Sequence, residues 1–294
     1  MIRREFLKRT AILSAGTLVF PEIDLSSSKA DMNNIGIQLY TVRDDMSKNP
    51  YATLRKIAEL GYKHVESAGY YNGKFYGKTK EDFKAMLDDV GLKMWSGHTN
   101  TGFGYPEGTY SMTNKWEAVC EDAAFMGQKY IGCGYFSTEE RKTIEDYKHH
   151  AALFNTCGEM AKKYNLTFFH HNHDFEFEPI AGVVPYDVLL NETDKNLVKF
   201  ELDHYWTKKA NVNSLKLMKK HTGRFPLWHI KDMDHTPARS FTEVGTGVID
   251  YKAIFKSKAI DSLAFYFVEQ DSNHNTSPLH SIEISFNNLR KLKV

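Results

Sequence analysis

The residues able to do chemistry in this sequence stand at the ends of short apolar runs. They are Gln38 and Tyr40, Glu66, His98, Tyr135, His171 and His173, Asp203, His229 with Lys231 and Asp232, and Glu269. Nearly all of them can bind a metal or move a proton. Taken singly, a polar group at a strand end is usually a satisfied core or cap residue. Together they need a common task, because burying so many unpaired would cost several kcal/mol each. In an extended strand residues i and i+2 share a face. His171 therefore points with His173, and His229 points with Lys231, while Asn172 faces away as a structural hydrogen-bonder. One or other of His171 and His173, with Asp203, His229 and Glu269, makes two imidazoles and two carboxylates. Such a set suits one divalent ion, Mn²⁺ or Zn²⁺ first and Fe²⁺ or Co²⁺ next, better than Mg²⁺ or Ca²⁺.

The elements that must position these groups alternate. Strands are predicted at Ile35–Tyr40, Lys63–Ser67, Leu92–His98, Tyr130–Gly134, Leu166–Asn172, Val198–Asp203, Leu227–Lys231 and Ala264–Glu269. Helices are predicted near Tyr51–Leu60, Lys80–Val90, Thr113–Met126, Glu139–Tyr164, Pro185–Glu192, Val212–His221 and Tyr251–Lys256, with a last one after Pro278. Strands separated by helical stretches imply parallel βαβ units, and Gly61 and Gly91 fall where left-handed helix caps are wanted. Eight such units predict a single-domain α/β fold, the (β/α)8 barrel, over residues 31–294. In that fold the active site lies at the C-terminal ends of the strands, which is where the polar residues gather.

Composition excludes other classes. The 294 residues carry 38 Lys+Arg and 37 Asp+Glu. Setting aside the five basic residues (Arg3, Arg4, Lys8, Arg9, Lys29) and three acidic ones (Glu5, Glu22, Asp24) of residues 1–30 leaves 33 against 34. That balance argues against a nucleic-acid partner, which calls for a basic excess. After residue 30 no apolar run approaches the ~20 residues of a membrane span. Cys120, Cys133 and Cys157 read as buried small hydrophobes, with a Cys120–Cys157 disulfide as the alternative. Arg3-Arg4-Glu5-Phe6-Leu7-Lys8, followed by the apolar run Ala11–Phe20, resembles a twin-arginine export signal. Residues 1–30 are thus expected to be an address, and the mature chain to be periplasmic.

From residue 33 onward the chain resembles the xylose isomerase-like TIM barrels, often called sugar phosphate isomerases/epimerases. The likeness rests on Gly36-Ile37-Gln38-Leu39-Tyr40, on His170-His171-Asn172-His173-Asp174-Phe175-Glu176-Phe177, and on Glu201-Leu202-Asp203. It continues through Trp228-His229-Ile230-Lys231-Asp232 and Gly245-Thr246-Gly247-Val248-Ile249-Asp250-Tyr251 to Glu269. Many relatives hold one divalent metal through Glu, Asp, His and Glu from strands five to eight. Asp203, His229 and Glu269 match the last three, and His171 stands where those relatives have Glu. The inosose-dehydratase-like branch, with a His-rich fifth strand, is the nearer likeness. Relatives of this kind often dimerise, so a homo-oligomer is also expected.

The resemblance implies proton abstraction next to a carbonyl, with a metal polarising the C=O. Glu269 is expected to be ligand and base, and Lys231 to hold the enolate oxygen, with the lowered pKa common for lysines in such settings. Its alternative is a salt bridge to Asp232 or a neighbouring carboxylate. Glu66 and His98 complete the catalytic candidates. Gln38, Tyr40, His173 and Trp206 are the candidate substrate contacts, Trp206 as a sugar platform. Gly245-Thr246-Gly247 is assigned to loop geometry rather than to phosphate binding. Replacing a glutamate by His171 removes one of two bases and disfavours two-base epimerisation. The expected function is a metal-dependent sugar isomerase/epimerase acting on a small unphosphorylated carbohydrate through an enediolate. A lyase acting on a 3-keto-glycoside by β-elimination is second, and a non-catalytic sugar-binding barrel is third.

Overall fold

The computed structural model describes residues 35–292. The expected export signal over residues 1–30 lies outside them. Eight parallel strands close into a barrel: β1 (Gly36–Gln38), β2 (His64–Ser67), β3 (Lys93–Thr99), β4 (Tyr130–Cys133), β5 (Thr167–His171), β6 (Val198–Asp203), β7 (Leu227–Ile230) and β8 (Phe265–Val268). Each strand pairs with its sequence neighbours, and β8 closes on β1 through Gly36↔Phe267 and Ile37↔Val268. This is the predicted (β/α)8 architecture. The helices that follow the strands are α1 (Pro50–Leu60), α2 (Lys80–Val90), α3 (Trp116–Phe125), α4 (Ile144–Lys163), α5 (Pro185–Glu192), α6 (Ser214–Lys220), α7 (Tyr251–Lys256) and α8 (Pro278–Lys291).

Local chemistry sets the helix ends. Asn49 accepts from the Ala52 backbone N–H and Pro50 opens α1 at its first turn, where a missing N–H costs nothing. Gly61 ends α1 at φ 108°, and a Cβ there would lie 2.5 Å from the Phe286 ring. Among the short helices that the sequence did not predict is His204–Lys209, directly after β6. Its six residues are too few for a periodic signal, but their cap, Asp203, belongs to the site described below.

Strand alternation divides two cores. On β5, Phe168 packs against Phe154 and His170 against Phe136 on the helix side. Phe169 turns inward to join Leu227 and Phe267 in a small core inside the barrel. Below it His64, Trp95 and Phe265 form the floor. Above it the interior becomes polar. The β6–β7 register places Glu201 beside Leu227 and Asp203 beside His229, and the β8–β7 register places Phe267 beside His229. Within two residues along β5, β7 and β8, from Phe169 to His171, Leu227 to His229 and Phe267 to Glu269, the barrel passes from hydrocarbon to ionisable groups. The three cysteines are free and buried, so the alternative Cys120–Cys157 disulfide is not formed. No helix among the described residues is long and apolar enough to cross a membrane.

Candidate metal centre

Two interlocking clusters occupy the C-terminal end of the barrel. His171, Asp203, His229 and Glu269 each offer one ligand atom, and these atoms all lie within 4.8 Å of one another. Glu66, His98, Glu201 and His229 form a second such group. His229 belongs to both because its two ring nitrogens point opposite ways. Its Nε2 lies 2.6 Å from Glu66 Oε1 and 3.1 Å from Glu201 Oε2. Its Nδ1 lies 2.7 Å from Glu269 Oε2 and 3.9 Å from Asp203 Oδ2.

The lower cluster is a hydrogen-bonded network in which Glu66 Oε2 and Glu201 Oε1 lack a partner. His98 Nε2 bridges Glu201 Oε2 at 2.7 Å and Glu66 Oε1 at 3.2 Å. Gln38 Nε2 donates to Glu66 Oε1 at 2.7 Å, and its own Oε1 accepts from the Tyr40 backbone N–H. Burial opposes charge on His98, but Glu66 and Glu201 outweigh it and raise its pKa to about 9. Burial pushes Glu201 up, helped by the Glu66 charge. Glu66 itself is held low by His98 and His229 despite its burial. Gln38 and Glu66, expected near substrate, therefore stand beneath the site and outside the cavity. Their hydrogen bonds fix the Nε2 side of His229 and leave Nδ1 to face the quartet, as carboxylates behind ligand histidines commonly do.

The upper cluster is an incomplete one. His229 Nδ1 is buried and has no hydrogen-bond partner despite its 2.7 Å approach to Glu269. His171 Nε2 is 3.3 Å from Asp203 Oδ2. Asp203 Oδ1 caps the short helix by accepting from Trp206 N at 2.8 Å, and Asn172 Oδ1 accepts from Asp203 N at 3.0 Å. These bonds fix the Asp203 carboxyl with Oδ2 turned inward. An unpartnered imidazole nitrogen, a second imidazole and two fixed carboxylate oxygens within one small space are the donor set of a divalent cation. The residues fit such an ion.

Lys231 stands against the same oxygens. Its Nζ is 3.1 Å from Asp203 Oδ2, 2.8 Å from Glu269 Oε2 and 2.9 Å from Asp271 Oδ1. Burial would discharge this lysine, yet the three carboxylates raise its pKa well above the ordinary value. The expected lowering is thus reversed, and the alternative salt bridge is formed with neighbouring carboxylates rather than with Asp232. That residue instead accepts from the backbone N–H groups of Gly245, Gly247 and Ile249. A Cβ on Gly247 would meet Met233 O at 2.2 Å, so the Gly-x-Gly is a loop latched to Asp232. Burial raises the Asp203 pKa to about 6, partly offset by Lys231 and His229. For Glu269, Lys231 and His229 overcome burial and keep the carboxyl low.

The quartet opens into a cavity of about 830 Å³. His171, Glu269, Lys231 and Asp271 line its floor, with His98, His173, Tyr40 and Trp206 on its walls. His98 spends Nε2 on the two glutamates, and Gly134 abuts its Nδ1 side. Trp206 carries the Lys231 ammonium 5.6 Å from its ring centre and meets the His173 ring at 5.2 Å. Of the other strand-end aromatics Tyr135 reaches the cavity, whereas Trp95 lies in the barrel floor and Trp228 packs against His204 and Phe255. Two site residues, Glu201 and Asp271, are not among the candidates from the sequence. Glu201 shares strand parity with Asp203, and Asp271 shares it with Glu269, so the i, i+2 rule would have found both.

The sequence over residues 54–257 matches the xylose isomerase-like TIM barrel family. The chain belongs to that family. Among solved structures, a sugar phosphate isomerase/epimerase from Parabacteroides distasonis is 28% identical, with TM-score 0.76 over 87% of this chain and 97% of that one. The IolI protein with a binding zinc atom is 14% identical, with TM-score 0.68 over 88% of this chain and 97% of that one. A 3-keto-D-glucoside 4-epimerase from E. coli is 18% identical, with TM-score 0.63 over 87% of this chain and 98% of that one. The last two share the fold. No curated protein matches the sequence.

Proposed function

We propose that this family member is a metal-dependent isomerase/epimerase-type enzyme acting on an unphosphorylated carbohydrate through an enediolate, exported to the periplasm by its twin-arginine-like leader. The observation that carries the reading is the convergence of His229, His171, Asp203 and Glu269, their ligand atoms within 4.8 Å of one another, at the bottom of an open cavity. We propose Mn²⁺ or Zn²⁺ as the ion, with Fe²⁺ and Co²⁺ as other outcomes, since two nitrogens and two oxygens suit all four. Such an ion supplies Lewis acidity that polarises a bound carbonyl.

The protein supplies the rest. Glu269, 5% exposed and lining the cavity, is the carboxylate placed to take the α-proton. Lys231, kept charged by three carboxylates, offers N–H donors toward the developing oxyanion. This is stabilisation of charge that grows in the transition state. His173, held neutral by burial and by Lys231, can accept from a substrate hydroxyl, and Trp206 offers a ring for a sugar face. Among the described residues Lys231 is the ammonium at the cavity floor, and three carboxylates already match its charge, which disfavours a phosphate beside the reacting carbonyl.

A second reading has one observation in its favour. The carboxylates at the cavity floor that reach Lys231, Glu269 and Asp271, both follow β8, and the opposite side offers His171 and His173. One base and a facing neutral imidazole suit β-elimination from a 3-keto-glycoside as well as isomerisation. The deciding experiment begins with metal analysis of protein purified without chelator, alongside Asp203→Ala. About one equivalent of metal, lost in the variant, followed by turnover of free ketoses, supports the proposal. Release of an aglycone from 3-keto-glycosides instead selects the lyase. Protein that binds no metal and gains no thermal stability from any of the four ions overturns both and leaves a sugar-binding barrel.

A further inference from the structure

The cavity carries a second polar feature away from the quartet. Arg141 follows the turn Thr138–Glu140, and its guanidinium carbon lies 3.4 Å above the centre of the Phe175 ring and 5.9 Å from that of Tyr135. Its Nε is shielded from solvent and has no hydrogen-bond acceptor. The neighbouring charges are spent or distant. Glu140 accepts from Ser137 and Thr101, and Lys231 is held by three carboxylates. Asp174, also in the cavity wall, stands beyond ion-pair distance of Arg141. Among the described residues Arg141 is the cavity cation without a carboxylate partner.

A shielded donor left without an acceptor is costly, so its presence at a binding cavity asks for a ligand group. Phe175 covers one face of the guanidinium and leaves the edge, whose paired N–H donors match a carboxylate bidentately. A single positive charge balances a monoanion rather than a phosphate dianion. A run of rings joins this corner to the quartet. His171 meets His173 at 4.9 Å, and His173 stacks on Phe175 at 5.2 Å with 6° between planes.

We propose that Arg141, with the Phe175–Tyr135 corner, is a specificity subsite for a carboxylate carried by the substrate away from its reacting carbonyl. The enzyme then acts on an acidic sugar or glycoside in preference to a neutral one. This rests on the carbohydrate reading above and not on the metal. The test is calorimetric binding of D-glucuronate, D-glucose and D-glucose 6-phosphate to wild type, Arg141→Gln and Asp203→Ala. Glucuronate is expected to bind at least about tenfold tighter than glucose to wild type and to Asp203→Ala, as a charge-assisted pair would give. Arg141→Gln should lose that advantage with an unchanged melting temperature. If Arg141→Gln fails to fold, Arg141→Lys, which keeps the charge and loses the fork, should show a severalfold smaller advantage. Equal binding of the two sugars by wild type overturns the subsite. So does an undiminished advantage in either Arg141 variant or one that disappears in Asp203→Ala, and so does tighter binding of the phosphate. A glucuronate preference in protein that holds no metal would overturn the enediolate mechanism and leave the subsite standing.

Discussion

Lys231 Nζ and His171 Nε2 converge on one oxygen, Asp203 Oδ2, at 3.1 Å and 3.3 Å. An ammonium and a ligand imidazole therefore share the carboxylate that a cation would use. Lys231→Met should abolish turnover while leaving all four ligands in place. Without metal the variant leaves Asp203, Glu269 and Asp271 buried without their cation, a loss of about 3–5 kcal/mol for a broken buried pair. The rise in melting temperature on adding Mn²⁺ or Zn²⁺ should then exceed that of wild type. Differential scanning fluorimetry with and without metal checks this, and an equal rise in both proteins contradicts it.

Asp203 does two jobs with two oxygens. Asp203→Asn keeps an acceptor for the Trp206 N–H but loses the charge facing His171, so metal binding should fall while the fold persists. Asp203→Ala should lose the metal and also the cap, worth about 1 kcal/mol. Chemical denaturation of both variants in chelator separates the two effects; identical stabilities would show that the cap contributes nothing.

Glu201 lies outside the cavity and is not one of the four ligands, yet it faces His229 Nε2 at 3.1 Å and His98 Nε2 at 2.7 Å. Glu201→Gln should weaken metal affinity by about 10–100-fold, the usual range for groups that orient a ligand histidine. Competition with a chelator of known affinity measures this directly, with metal-free stability as the control. An unchanged affinity would remove Glu201 from the site.

His64 in the barrel floor gives a pH-dependent stability. Its Nδ1 accepts from Trp95 Nε1 at 2.7 Å, and burial, with Lys63, lowers its pKa from 6.5 to about 4. Between these values the unfolded chain binds the proton and the folded chain does not. Stability is therefore full above about pH 6.5, falls as pH drops toward 4 and is not lost further below it. His64→Asn, which keeps a side-chain acceptor, should flatten this part of the profile. Urea melts of both proteins at pH 7, 6 and 5 make the comparison, and parallel profiles would refute it.

Much of this protein is written in local patterns. The alternation of short apolar runs with amphipathic ones is enough for eight strands and their helices, and strand termini move by only a residue or two between sequence and structure. Period two along a strand aligns His229 with Lys231 and His171 with His173, because the pleat is a property of the backbone. What period two does not carry is the view across the barrel. Glu66 and His229 are 163 residues apart in sequence yet meet at 2.6 Å, and only closure of the sheet brings them together. That closure turns Glu66, a catalytic candidate, and Gln38, a candidate substrate contact, into supports for a histidine. It also turns Lys231, expected to have a lowered pKa, into a firmly charged group. Residue type and parity determine which groups can reach the barrel's end. The pKa of each, its partner and its access to the cavity depend on how many opposite charges the closed barrel places within a few ångströms, and that is settled only in three dimensions.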